Sequence, residues 1–172
     1  MTPHPETRLD GVIRTLNDVV VPALGPEHAM AREQSAVILA QLRMLKTQLV
    51  HIGDYHALCR DDVRDTATEL VHEIAGGPKT EEAASGLAAA LKKAEGERDP
   101  YEAYNLIGFA LEWLIHAVPL DADLQYRARV ERGVFAFSRR QVRRERIWFK
   151  DAGFDPYPNE LPSIAEMMRD GA

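Results

Sequence analysis

Apolar residues recur at three- and four-residue spacing along almost the whole chain, the period of helices that bury one face. The first helix is expected from Pro5 to about Leu24, with Leu9, Val12, Ile13, Leu16, Val19 and Val20 on one face. Pro5 suits its first turn, where a missing N–H costs nothing. Pro22 must kink or end it, because the ring clashes with the preceding turn. Val19, Val20 and Val21 also suit a strand, but a lone strand has no partner in so helical a pattern. Gly25-Pro26 then closes one helix and opens another.

The next pattern is long. Ile38, Leu42, Leu45, Leu49, Ile52, His56, Cys59, Val63, Thr66, Leu70 and Ile74 step by four and three without a slip. One unbroken helix over 27–75 would be about 74 Å long. A compact domain of this size is only about 40 Å across. The unbroken register suits one bent helix, whereas the dimensions, with Gly53-Asp54 as a stop and an N-cap, favour a helix interrupted near there. Gly76-Gly77-Pro78 is a further break.

Thr80 is expected to cap a short helix with Glu81 and Glu82 in its first turn and Ala84, Leu87, Ala88 and Leu91 on its face. Asp99-Pro100-Tyr101-Glu102 combines an N-cap, a proline at N1 and an acid at N3. The helix it opens is apolar nearly all round and should be the central, buried one. Pro119 should stop it. Asp121 should cap the last long helix, 122–151, about 45 Å long. After Gly153, Pro156, Pro158 and Pro162 break the periodicity and predict an extended segment. Ser163 is placed to cap a final turn through Met168.

The expected fold is all-α: a helical bundle of four to six helices over residues 1–153. An extended proline-rich C-terminal strap with a short final helix should follow over 154–172.

Composition narrows the class. With 172 residues, 45% hydrophobic and 28% charged, the chain is neither disordered, collagen-like nor disulfide-stapled. The single cysteine, Cys59, cannot form an intramolecular disulfide. The first residues hold neither the basic region nor the apolar run of a secretion signal. The most apolar stretch, Tyr104 to Val118, has 15 residues and carries Asn105, Glu112 and His116, which reads as too short and too polar to span a bilayer. A cytoplasmic protein with no membrane partner is expected.

Charge is segregated. The net charge is −6, yet residues 121–150 hold nine bases against four acids, +5, which leaves −11 for the rest. Arg132, Arg139, Arg143, Arg146 and Lys150 form a single stripe able to bind an anion, nucleic acid or an acidic partner surface. The acidic total opposes nucleic acid as a partner. Pairing with the acidic remainder of this chain, or of a second copy, is the simpler expectation.

Chemistry concentrates on the central helix, where Asn105, Gly108, Glu112 and His116 share one face. Glu112 and His116 are an i,i+4 pair, expected to be buried and coupled. Such a pair is part of a site in a bundle core, a structural buried pair, or a stripe that faces solvent or a partner subunit. His56, at a seam position beside Cys59, could join Glu112 and His116 to hold a divalent metal. Glu69-Leu70-Val71-His72 is one copy of the Glu-x-x-His spacing of di-iron bundles, which need two. A three-histidine metal bundle is excluded, because residues 121–150 hold no histidine.

There is no Gly-rich phosphate loop, no Gly-x-Ser-x-Gly, no His-Glu-x-x-His and no Cys-x-x-Cys, so no catalytic motif points to an enzyme. The leading expectation is a non-enzymatic helical accessory or interaction protein that self-associates as a homodimer. The arginine helix and the apolar side of the strap (Phe154, Tyr157, Leu161, Ile164, Met167) would supply the contact. The alternatives are a metal- or small-ligand-binding bundle using His56, Glu112 and His116, and an anion or nucleic-acid binder using the arginine helix.

Overall fold

The computed structural model describes residues 4–170, and among them the fold is all-α, as expected. The helices are α1 (Pro5–Thr15), α2 (Val21–Ala23), α3 (Ala29–Leu49), α4 (Ile52–Leu70), α5 (Pro78–Glu95), α6 (Pro100–Asp121), α7 (Leu124–Trp148) and α8 (Ile164–Asp170). The chain forms two compact units, the residues up to Ile52 with Glu145–Asp170, and Gly53–Arg144.

In the first unit, α1 continues through a π turn, Leu16–Val20, into α2. The Val21 N–H reaches back five residues to the Leu16 carbonyl. The wide turn precedes Pro22, which has no N–H to give and whose ring cannot sit against a regular preceding turn. Leu9, Ile13 and Leu16 are half-buried, whereas Val12, Val19 and Val20 are exposed.

Helix α3 departs from the expected face. Ser35, Leu39, Met44 and Gln48 are buried, and Ile38 and Leu45 are exposed. Gln48 explains part of the rotation, because its amide donates to the Trp148 carbonyl at 2.8 Å and satisfies an acceptor at the end of α7. Gly153 closes that end in the left-handed region, at φ 81°. Beyond it, Leu161, Ile164 and Met167 are buried, while Phe154 and Tyr157 are exposed. Ser163 caps α8 as expected: its N–H donates to Glu166 at 2.7 Å, and the Glu166 N–H donates to the Ser163 hydroxyl at 3.2 Å.

The long seam is interrupted between Leu49 and Ile52, just ahead of Gly53, which lies in the first turn of α4. The second unit is built on Val63, Ala67, Leu70, Ala84, Leu87, Ile107, Leu111, Leu114, Val118, Tyr126 and Val130. Helix α4 ends at Leu70, so the seam does not reach Ile74, which is exposed. Helix α7 supplies the groups that finish it. The Tyr126 hydroxyl donates to the Leu70 carbonyl at 2.8 Å. Arg129 donates to the carbonyls of His72 and Glu73 and pairs with the Glu73 carboxylate at 3.1 Å. Glu73 itself is left-handed, at φ 47°.

Two caps are exchanged relative to expectation. Asp121 does not cap α7; its carboxylate accepts from the backbone N–H groups of Lys79 and Thr80, at 2.9 and 3.0 Å, and from the Thr80 hydroxyl at 2.6 Å. It therefore caps α5, and Thr80 is a buried third residue of that helix rather than its cap. Asp123 caps α7 instead, accepting from the Tyr126 N–H at 2.7 Å. Backbone bonds between Ala75–Gly77 and Asp121–Asp123 tie the two termini together. A Cβ on Gly76 would sit 2.8 Å from the Ala122 Cα, so this crossing requires glycine. Pro119 lies inside the last turn of α6 and does not stop it; the extended backbone of Ala122 does.

Candidate functional site

Helix α6 starts at a working N-cap, with the Asp99 carboxylate accepting from the Tyr101 N–H at 2.9 Å. At 100° per residue its side chains form two seams on opposite sides. Ala103, Ile107, Leu111, Leu114 and Val118 are buried in the core of the second unit. Phe109, Trp113 and Leu120 stand on the other side, 65%, 74% and 63% exposed, with His116 among them. The expectation of a helix buried all round is therefore corrected: one face is core and the other is open. Helix α6 is also long and apolar enough to cross a membrane, by length and composition only, with 22 residues and a mean hydropathy of 1.2.

The open seam is a ridge between two hollows. On one side, Lys79, Glu82, Ala83 and Gly86 of α5 and Ala110, Trp113, His116, Ala117 and Leu120 of α6 line a groove of about 470 Å³. Its floor is made of small residues, and a Cβ on Gly86 would meet nothing within 4 Å. On the other side, a hollow of about 290 Å³ has apolar walls from Val63, Leu111, Ile115, Val134 and Phe137. Asn105, Gly108, Glu112 and Ser138 also line it. Three members of the polar stripe read from the sequence thus meet at one hollow, while His116 lines the other.

Glu112 and His116 do lie together, with His116 Nε2 3.8 Å from Glu112 Oε1, but their side chains are 65% and 74% exposed rather than buried. The wide open face of α6 carries them into solvent. His56 stacks obliquely on Tyr101, ring centroids 4.9 Å apart, and does not join them. Among the described residues no group of three or more His, Cys, Asp or Glu side chains gathers to hold a metal, so the trio His56, Glu112 and His116 is not assembled. Cys59 is buried on the core side of α4.

The arginine stripe divides. Arg146 pairs with Asp155 through bonds of 2.7 and 3.1 Å, and Lys150 donates to the Leu161 carbonyl at 2.9 Å. The Arg146 guanidinium holds the Asp155 carboxyl below the usual carboxylate range, helped by the Tyr157 N–H. Arg132, Arg139 and Arg143 are exposed, and Arg132 and Arg139 flank the exposed ring of Phe135.

The tightest ionic cluster falls outside the predicted stripe. Asp62 on α4 pairs with Arg140 at 2.6 Å and with Arg144, which is only 2% exposed. Burial opposes ionisation of Asp62, but hydrogen bonds and charge from both arginines outweigh it and keep its pKa below the ordinary value. Nothing in the local sequence marks Asp62 as different from Asp61 or Asp65; only packing of α7 on α4 selects it.

The ridge of Phe109, Trp113, His116 and Leu120 keeps a 4-3-4 spacing that is visible in the sequence, but spacing alone does not distinguish an open seam from one side of a helix buried all round. No protein-family model, curated protein or solved structure matches the chain.

Proposed function

We propose that this is a non-enzymatic helical accessory protein that acts in the cytoplasm through self-association, as a homodimer. The observation behind this reading is the open α6 seam, where two aromatic rings and a leucine stand exposed on one face. Contiguous apolar patches of this kind are what subunit contacts cover. Tryptophan and other aromatics are the usual anchors of such contacts. In the same proposal, residues 1–153 form a bundle of four to six helices and the proline-rich 154–172 segment is an extended strap with a short final helix. The burial of Leu161, Ile164 and Met167 supports packing of that segment within its own compact unit.

Sedimentation equilibrium at micromolar concentration tests the reading. The full chain should have the mass of two copies and Trp113→Glu that of one. A wild-type chain that stays monomeric throughout would overturn it.

A second reading is favoured by the hollow beside Glu112. Its apolar walls with Asn105, Glu112 and Ser138 among the lining residues suit a small ligand with an apolar body and a cationic or hydrogen-bonding end. Binding of such amines, weakened by Glu112→Gln, is its test.

A further inference from the structure

We infer that α6 pairs with α6 of a second copy in antiparallel orientation, Phe109 of each facing Leu120 of the other and Trp113 of each facing His116 of the other. The inference rests on the proposed self-association and specifies its geometry.

The open seam keeps the spacing of a helix-pairing seam: Phe109, Trp113, His116 and Leu120 follow one another at intervals of four, three and four. That order of intervals is the same read in either direction, as a two-fold contact between identical faces requires. Side-chain size then selects the direction. The bulky Phe109 and Trp113 occupy the N-terminal part of the seam and the smaller His116 and Leu120 the C-terminal part. A parallel pair would set Trp113 against Trp113 and bury His116 against His116 in an apolar seam. An antiparallel pair sets each large ring against a smaller group, the arrangement that fills space without strain. It also answers a polar need: a covered indole N–H requires an acceptor, and the imidazole of His116 in the second copy supplies one.

The flank toward α5 permits close approach. Ala110 and Ala117 border the seam there, and Ala83 and Gly86 continue the small-residue floor. The seam side chains supply most of the area a dimer needs. The two aromatic rings offer on the order of 150–200 Å² each and Leu120 about 100 Å². Two copies together therefore cover about 900 Å² of the roughly 1,200 Å² at which a stable interface starts, and the groove residues of α5 that flank the seam are placed to add the remainder.

Mixed-cysteine cross-linking in a Cys59→Ala chain tests the register. Chains carrying Phe109→Cys, mixed with differently tagged chains carrying Leu120→Cys, should form the mixed disulfide at least tenfold more than either chain forms its own. Two copies of residue 109 would lie about 16 Å apart in this register, beyond the roughly 4–7 Å Cα span of a disulfide. Trp113→Ala, in a chain that keeps Cys59 and carries no added cysteine, should weaken dimerisation at least tenfold. Efficient disulfides between two copies of residue 109 would mean a parallel pair and overturn the register while leaving self-association intact. A dimer whose Trp113→Ala variant associates as tightly as wild type would place the contact elsewhere and overturn the inference. A wild-type monomer would overturn both readings, and one that sediments with phosphatidylcholine vesicles through Trp113 would assign the seam to a lipid surface instead.

Discussion

Helices α6 and α7 reverse the usual relation between hydropathy and burial. Helix α6 is the most apolar of the long helices, yet it leaves Phe109 and Trp113 in solvent; α7 is the arginine-rich one, yet it buries Arg144 at 2% exposure. The difference lies in what each side chain meets. Arg144 meets Asp62, which neutralises it and is itself shared with Arg140. Trp113 lines a groove that stands open to solvent and is itself 74% exposed. Burial follows the partner supplied by the tertiary structure, and hydropathy alone ranks neither residue correctly.

The largest break in this comparison should come from removing the partner of the buried charge. Asp62→Ala leaves the Arg144 guanidinium uncompensated in the interior and should cost about 3–5 kcal/mol in urea unfolding. Replacing the α6 core residue Leu114 by Ala should cost about 2–5 kcal/mol; a loss under about 1 kcal/mol would mean that α6 is less firmly seated on its buried face than its packing implies.

Acid sharpens the same point. Because the folded pKa of Asp62 is depressed, the stability it contributes is complete above its unfolded value, near 3.8, and is lost as pH falls through the lower folded value. Asp62→Asn should therefore flatten the decline of urea midpoints measured from pH 5 down to pH 2. An unchanged slope would remove Asp62 from the account.

A smaller effect is expected at the exchanged cap. Thr80→Val removes the buried hydroxyl that donates to Asp121 and should cost about 1 kcal/mol, read from the melting temperature. The smallest effect on the fold belongs to the open face. Trp113→Ala should change the stability of the isolated chain by no more than about 0.5 kcal/mol, measured where the protein is dilute enough to be monomeric. A large loss there would show that the ring supports the fold rather than a contact.

Much of the local architecture was legible. The stop at Gly25-Pro26, the Asp99 cap and the Ser163 capping box were all readable, because each depends on residues within one helical turn. The candidate chemistry was less so. Glu112 and His116 share a face by periodicity, but whether that face is wet or dry depends on which neighbours pack where. Their expected burial assumed that an apolar helix must be surrounded. Asp121 shows the same limit: an aspartate one turn before a helix reads as its cap, yet it reaches a helix that starts more than forty residues earlier.

The sequence alone therefore determined that the chain is helical, where most of its helices begin and which residues share a face, since these follow from backbone periodicity and from groups a few residues apart. Only the tertiary structure decided which face of α6 is core, which aspartate neutralises Arg144 and which helix end Asp121 satisfies. Each of those depends on groups brought together from distant parts of the chain, and a local pattern carries no information about where they will be.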